Sequence, residues 1–119
     1  MFQALGDASR LRIIRLLAST KEECCLCELV DSLLEPKYKL SRHLKVLRHA
    51  GLLNSRKDGR WVYHAIPESL PGRGALVAMI AALPDPRRIY AADAKRLRAR
   101  LKLRENGVCR IGIQNLAYA

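Results

Sequence analysis

Residues 37–53 read KYKLSRHLKVLRHAGLL. Leu40, Leu44 and Leu47 recur at helical spacing and fall on one face, with Val46 beside them. Lys37, Lys39, Ser41, Arg42, His43, Lys45, Arg48 and His49 fill the rest of the surface. Gly51 follows the last turn and suits a C-terminal cap. Such a helix packs one side on a core and offers a cationic side to something outside it. From Lys37 to Arg60 the cations Lys37, Lys39, Arg42, Lys45, Arg48, Arg56, Lys57 and Arg60 are set against one acid, Asp58. That density suits a phosphate backbone, with affinity that falls steeply as salt rises.

The neighbouring segments give this helix its setting. On its C-terminal side, Leu52 to Arg56 can extend, Lys57-Asp58-Gly59-Arg60 can turn, and Trp61 to Ile66 can extend again. Asp-Gly between two strand-like runs signals a hairpin. On its N-terminal side, Asp7 can cap a helix in which Leu11, Ile13, Ile14, Leu16 and Leu17 form an apolar stripe. A short helix from about Cys27 to Leu34 follows and ends at Glu35-Pro36. Two helices, a tight link, a basic helix and a basic hairpin make a mainly α chain with a small β-hairpin, the winged helix-turn-helix. In that architecture the third helix enters the major groove and its N-terminal side chains reach base edges. The candidate DNA contacts are Lys37, Lys39, Ser41, Arg42, His43, Lys45 and Arg48 on the helix and Arg56, Lys57 and Arg60 on the wing.

The bulk properties agree. The chain has 119 residues, 22 Lys plus Arg against 11 Asp plus Glu, and a formal net charge of +11. A small domain that basic points to a polyanion partner. No early apolar run has signal-peptide length, and no stretch approaches the ~18 apolar residues of a membrane span. The chain therefore reads as cytoplasmic, where clustered cysteines are metal ligands or redox thiols more often than disulfides. No pocket of paired acids and no Ser/His/Asp set appears, so an enzyme is not expected.

Residues 23–29 read ECCLCEL. Cys24, Cys25 and Cys27 are joined far along the chain by Cys109. Thiolates select soft ions such as As(III), Sb(III), Cd(II), Pb(II), Cu(I) or Zn(II). A neutral set of three thiols suits a trivalent pyramidal ion. If the turn is helical, Cys24 and Cys27 share a face. Cys25 and Cys27 diverge by about 160° on an ideal helix and converge only if Cys25 lies at or before the helix start, or if an ion distorts the turn. Cys109 can supply a further thiol from the same or a partner subunit, with Arg104 and Arg110 nearby to hold a thiolate.

ALGDASRLRIIRLL (4–17), CLCELVDSL (25–33), LSRHLKVLRHAGLL (40–53) and RKDGRWVYHAI (56–66) resemble, in order and spacing, the ArsR/SmtB metalloregulators. The resemblance covers residues 2–66. Beyond Pro67 it is weaker, although RLRARLKLRENGVCRIG (96–112) resembles the tail of some arsenic-responsive members. It implies a homodimeric repressor that binds operator DNA when metal-free and leaves it on binding metal. On the family's arsenic motif Cys25 and Cys27 take the two cysteine positions. Cys24 is an extra thiol, and Val30 stands where some members carry a third cysteine.

The expected organisation is a DNA-binding core at 1–66 and dimerising C-terminal helices with a tail at 67–119. The dimer would form through the N-terminal segment and the apolar face Leu76, Val77, Met79, Ile80 and Leu83. Two-fold symmetry implies an inverted-repeat operator in double-stranded DNA. The expected inducer is As(III) or Sb(III). A repressor of Cd(II), Pb(II) or Zn(II) type, or one switched by thiol oxidation, is the alternative.

Overall fold

Asp7 starts the first helix as the sequence suggests. Its carboxylate accepts from the backbone N–H groups of Ser9 (2.8 Å) and Arg10 (3.1 Å), two donors that a helix start otherwise leaves unpaired. In the computed structural model, which describes residues 2–118, this helix is α1, Ala8–Ala18. It is followed by β1 (Cys24–Cys25), α2 (Leu26–Leu33), α3 (Lys37–His49), β2 (Asn54–Asp58), β3 (Trp61–Ala65), α4 (Arg73–Ala81), α5 (Ile89–Leu101) and a short 3-10 turn at Leu116–Tyr118. The helix-turn-helix and its wing are thus present: α2 and α3 joined through Leu34–Pro36, then the β2–β3 hairpin.

Local chemistry sets the boundaries. Leu34 leaves α2 in the left-handed region at φ +55°, and Pro36 then opens α3. At the far end of α3, Gly51 takes φ +78°, its N–H reaches the Arg48 carbonyl, and the Leu52 N–H reaches the Leu47 carbonyl. That paired closure is a Schellman cap, which glycine permits without steric penalty. Leu40, Leu44, Leu47 and Leu52 are all buried, so the apolar stripe of α3 is its core face. They meet Ile13, Ile14, Leu16 and Leu17 of α1 and Leu29, Val30 and Leu33 of α2 in one core.

The sheet has three strands, in the order β1-β3-β2, all antiparallel. The third strand is the two-residue β1, in register Cys24↔His64 and Cys25↔Tyr63. Sequence reading placed a helix start near here and no strand.

Half-buried arginines bind the C-terminal helices to this core. Arg12 of α1 donates to both oxygens of Asp93 on α5 (2.9 and 2.7 Å) and to the Leu33 carbonyl (2.7 Å). Arg96 adds a third contact to the same carboxylate at 2.8 Å. Arg15 donates to the Ile80 carbonyl at the end of α4 (2.6 Å). Ile80, expected on an outward apolar face, is 1% exposed and belongs to the chain's own core. It points inward because α4 packs on α1, and Met79 carries the exposed apolar surface instead.

Asp93→Ala would leave the guanidinium of Arg12 without its main acid partner, with only the longer ion pair to Glu35 at 3.4 Å. Breaking a buried pair from one side is more damaging than never having had it. The variant should lose about 3 kcal/mol of stability, seen as a fall in the urea midpoint at unchanged slope. A loss below about 0.5 kcal/mol would show that the pair does not anchor α5.

Candidate metal centre

The cysteines separate at β1. Successive strand residues point to opposite faces. Cys24, opposite His64, joins the main core, while Cys25, opposite Tyr63, joins a second small cluster with Cys27 and Cys109. Cys25 is also the residue before α2, with extended backbone (φ −85°, ψ 165°). The first turn of α2 then brings Cys27 back over it. The condition for Cys25 and Cys27 to converge, that Cys25 precede the helix, is met.

Three sulfurs form a triangle. Cys25 Sγ lies 2.9 Å from Cys27 Sγ and 3.2 Å from Cys109 Sγ, and the third edge is 3.5 Å. All three residues are buried. Cys24, expected among the thiol ligands, does not join them. Its thiol approaches the Glu22 carbonyl at 3.8 Å, because the chain is extended there rather than helical. Among the described residues this triangle is the one cluster of Cys, His, Asp or Glu close enough to hold an ion.

The site's supports were not visible in the sequence. The Tyr63 hydroxyl accepts the Cys109 N–H at 2.9 Å. Glu28 is fully buried, and its carboxylate accepts the Cys25 N–H at 3.1 Å. Arg104 donates to both oxygens of Glu28 at 2.7 Å. Burial opposes ionisation of Glu28, but the Arg104 hydrogen bonds and charge, together with the Cys25 hydrogen bonds, outweigh it and hold the carboxyl below its usual range. Arg104 was expected to steady a thiolate, yet its fork is taken up by Glu28, and Arg110 is exposed. The Cys25 thiol is pushed up by its hydrogen bond to Cys27 and by burial, and the Cys109 thiol by burial and Cys25. These two are therefore neutral thiols at pH 7.

The donor set is all sulfur, which suits a soft ion. A tetrahedral ion with bonds of about 2.3 Å would hold its sulfurs roughly 3.8 Å apart. Every edge here is shorter. With bond angles near a right angle the same bond length gives roughly 3.3 Å, within the observed range. A cavity of about 450 Å³ reaches Cys25 and Cys27 past Trp61 and Ile113, giving an ion a path from outside.

Lys37, Ser41, Arg48 and Arg60 line that same cavity, so the cationic face opens beside the thiols. Lys37, Ser41, Arg42 and Lys45 of α3 are exposed, as are Arg56, Lys57 and Arg60 of the hairpin. Lys39 pairs with Glu35 (3.1 Å), and Arg56 with Glu23 (3.0 Å). Arg48 is half-buried beside His64, and Arg60 lies over the Trp61 ring at 4.7 Å. His43, expected on this face, turns inward at 8% exposure, toward Arg10 and Asp7, because it sits three residues beyond Leu40 on the buried stripe.

Comparison with known proteins follows this geometry. The sequence model of the bacterial regulatory protein, arsR family, matches residues 7–55, from the cap of α1 into β2. The arsenical resistance operon repressor of Escherichia coli is 40% identical over 77 residues, which are 65% of this chain and 65% of that protein. An uncharacterized HTH-type transcriptional regulator of Methanocaldococcus jannaschii is 39% identical over 66 residues, 56% of this chain and 73% of that protein. The chain belongs to the arsR family. This family consists of regulatory proteins, not enzymes. Its breadth matters for the ion: a CadC homolog of Staphylococcus aureus, a cadmium resistance transcriptional regulatory protein, is 31% identical over 68 residues, 57% of this chain and 55% of that protein. The chain thus spans about two thirds of the Escherichia coli relative and about half of the CadC homolog.

His64 offers a test of the sheet behind this arsR-family site. Burial, with the Arg48 charge nearby, holds it down to about 4 from an ordinary value of 6.5. Its folded value is the lower one, so the unfolded chain binds more protons between the two. Stability from a neutral His64 is full above about pH 6.5 and falls as pH drops toward 4, by roughly 2 kcal/mol after allowing for partial solvation. Denaturant melts from pH 7.5 to 4.5 should show this component in the wild type and not in His64→Gln. Parallel pH curves for the two would rule it out.

Proposed function

We propose that this chain is an arsenic-responsive transcriptional repressor that binds operator DNA as a homodimer and is released when As(III) or Sb(III) binds Cys25, Cys27 and Cys109. The observation that carries the reading is the sulfur triangle: three thiols within 3.5 Å of one another, with no carboxylate or imidazole among them. Its short edges favour a pyramidal trivalent ion over a tetrahedral divalent one. The arsenical resistance repressor among the relatives supports the same direction.

Charge balance favours it too. Arsenite in neutral water is the uncharged trihydroxide. Its three As–O bonds are replaced by three As–S bonds, each hydroxyl leaves as water with a thiol proton, and no charge changes. A divalent ion must instead displace protons from buried thiols and leave an anionic centre. Burial of the three sulfurs disfavours that added charge.

Release follows from where the triangle is anchored. Cys25 and Cys27 begin α2, the helix on which α3 packs. Tyr63, hydrogen-bonded to Cys109, lies on wing strand β3. An ion on the three sulfurs ties α2, the wing and the tail together, and a DNA-bound form with a different placement of α3 and wing is then disfavoured. A coupling of about 1–3 kcal/mol would suffice for a useful switch. Exposed Phe2 and Met79, at 79% and 52%, support a second copy covering the N-terminal segment and α4.

The deciding experiment is an operator shift assay with and without arsenite. Arsenite should release the wild type. Cys25→Ser, Cys27→Ser and Cys109→Ser should bind operator normally and respond about tenfold or more weakly. Release by Cd(II) or Pb(II) but not by arsenite would overturn the inducer, and a normally responding Cys25→Ser would overturn the site.

Calorimetry in buffers of different ionisation enthalpy provides a second check. Arsenite binding should release no protons and change little from about pH 6 to 8, whereas Cd(II) affinity should rise roughly tenfold per pH unit for each thiol proton displaced. Proton release on arsenite binding would contradict the neutral exchange.

A further inference from the structure

Helix α2 lies beside α5 and the turn that follows it, and this contact carries two buried ion pairs about one turn apart. Glu28 and Asp31 stand at i and i+3 on α2, and Arg100 and Arg104 at i and i+4 along the α5 side. Glu28 meets Arg104, and Asp31 meets Arg100 through Nε at 2.7 Å. Each pair holds more than its partner. Glu28 also holds the Cys25 N–H. The second pair holds the chain that follows Cys109. Arg100 Nη2 donates to the carbonyls of Ile111 (2.9 Å) and Gly112 (3.1 Å). The Asp31 carboxylate accepts the N–H of Gln114 (3.0 Å) and of Asn115 (2.9 Å). The segment is thus gripped by its carbonyls on one side and its amides on the other.

We propose that Asp31 and Arg100 are positioning residues for Cys109, forming a clamp that turns a two-thiol site into a three-thiol site. This rests on the reading of Cys25, Cys27 and Cys109 as one ligand set. Cys109 needs such a device. Regular helix ends at Leu101, and between Lys102 and Asn115 the backbone has one isolated bridge, Glu105↔Val108. Apolar packing alone holds this stretch weakly: Ile113 is half-buried, and Leu116 just beyond it is 79% exposed. Holding a thiol still on irregular chain costs backbone entropy at every residue that must be fixed. The clamp opposes it with charge-assisted hydrogen bonds from side chains that are 8% and 3% exposed. Cys25, at the junction of β1 and α2, and Cys27, in the first turn of α2, are placed by backbone outside the clamped segment, so loss of the clamp should remove one ligand of three.

The test uses the full-length protein with Asp31→Asn, which keeps the side-chain shape, and Arg100→Lys, which keeps the charge. With arsenite as probe, both variants should bind about 10–100-fold more weakly than the wild type, close to the loss in Cys109→Ser. The combination Asp31→Asn/Cys109→Ser should bind no more weakly than Cys109→Ser alone. A merely structural role for Asp31 would instead add its loss to that of Cys109→Ser, and that result, or full affinity in Asp31→Asn, would overturn the proposal. Iodoacetamide labelling without any ion gives a second readout, resolved by peptide mass. Cys109 should label faster in Asp31→Asn and Arg100→Lys while Cys25, paired to β3, stays as protected as in the wild type. Unchanged Cys109 protection would overturn the clamp. Loss of Cys109 protection in a protein that does not bind arsenite would uphold the clamp and remove the inducer reading.

Discussion

The candidate site depends on one change of backbone conformation, between Cys25 and Leu26. Up to Cys25 the chain is extended and paired to β3; from Leu26 it is helical. Extension sends adjacent Cys24 and Cys25 to opposite faces of the sheet. The helical turn then brings Cys27 back to the Cys25 side. Continue the helix one residue toward the N-terminus and Cys25 and Cys27 would point about 160° apart. Continue the strand one residue the other way and Cys27 would lose its place in the first turn. The buried Glu28 carboxylate fixes the junction, since it accepts the N–H of Cys25, which is an unpaired donor at that point.

That choice brings an electrostatic demand. A fully buried carboxylate is costly unless a cation and hydrogen bonds satisfy it. Arg104 supplies both, and it comes from beyond α5, so the helix start at Cys25 is stabilised by the far end of the chain. The same logic recurs with Asp31 and Arg100, and with Asp93 and Arg12. Three of the chain's cations therefore face inward. The net charge of +11 was read as a DNA footprint, and the exposed cations of α3 and the hairpin fit that reading. Arg12, Arg100 and Arg104 do not belong to it; they join the C-terminal helices to the helix-turn-helix.

What was legible in the sequence had a period or a strong local signal. The apolar stripe of α3, the cap at Asp7, the stop at Gly51 and the Asp-Gly hairpin all depend on residues within a few positions of one another. Two cysteine positions were legible by resemblance. The strand β1 was not, because two residues cannot show an alternation and its partner lies some forty residues away. Tyr63 was not legible for the same reason: its role depends on register with Cys25, which no local pattern encodes. No local pattern marks Asp31 and Arg100 as partners, and only the packing of α2 on α5 makes them a buried pair. His43 sat among basic residues, and its position relative to Leu40 outweighed that company.

The third thiol shows how a departure from a family pattern can carry mechanism. With Val30 in place of a cysteine, a three-sulfur site drawn from α2 alone is impossible, and Val30 is itself fully buried in the main core. Recruiting Cys109 changes what an ion would act on. Ligands confined to one helix would strain that helix and little else. Ligands on α2 and the tail, with the tail bonded to Tyr63 of β3, would link three elements that otherwise meet mainly through packing and two ion pairs. In the proposed repressor, sensing would then act by restricting how α2 and the wing move relative to each other, and the DNA contacts on α3 and the hairpin lie on both sides of that restriction. Distortion of α2 is not required, because the sulfurs already lie within bonding reach of a shared centre.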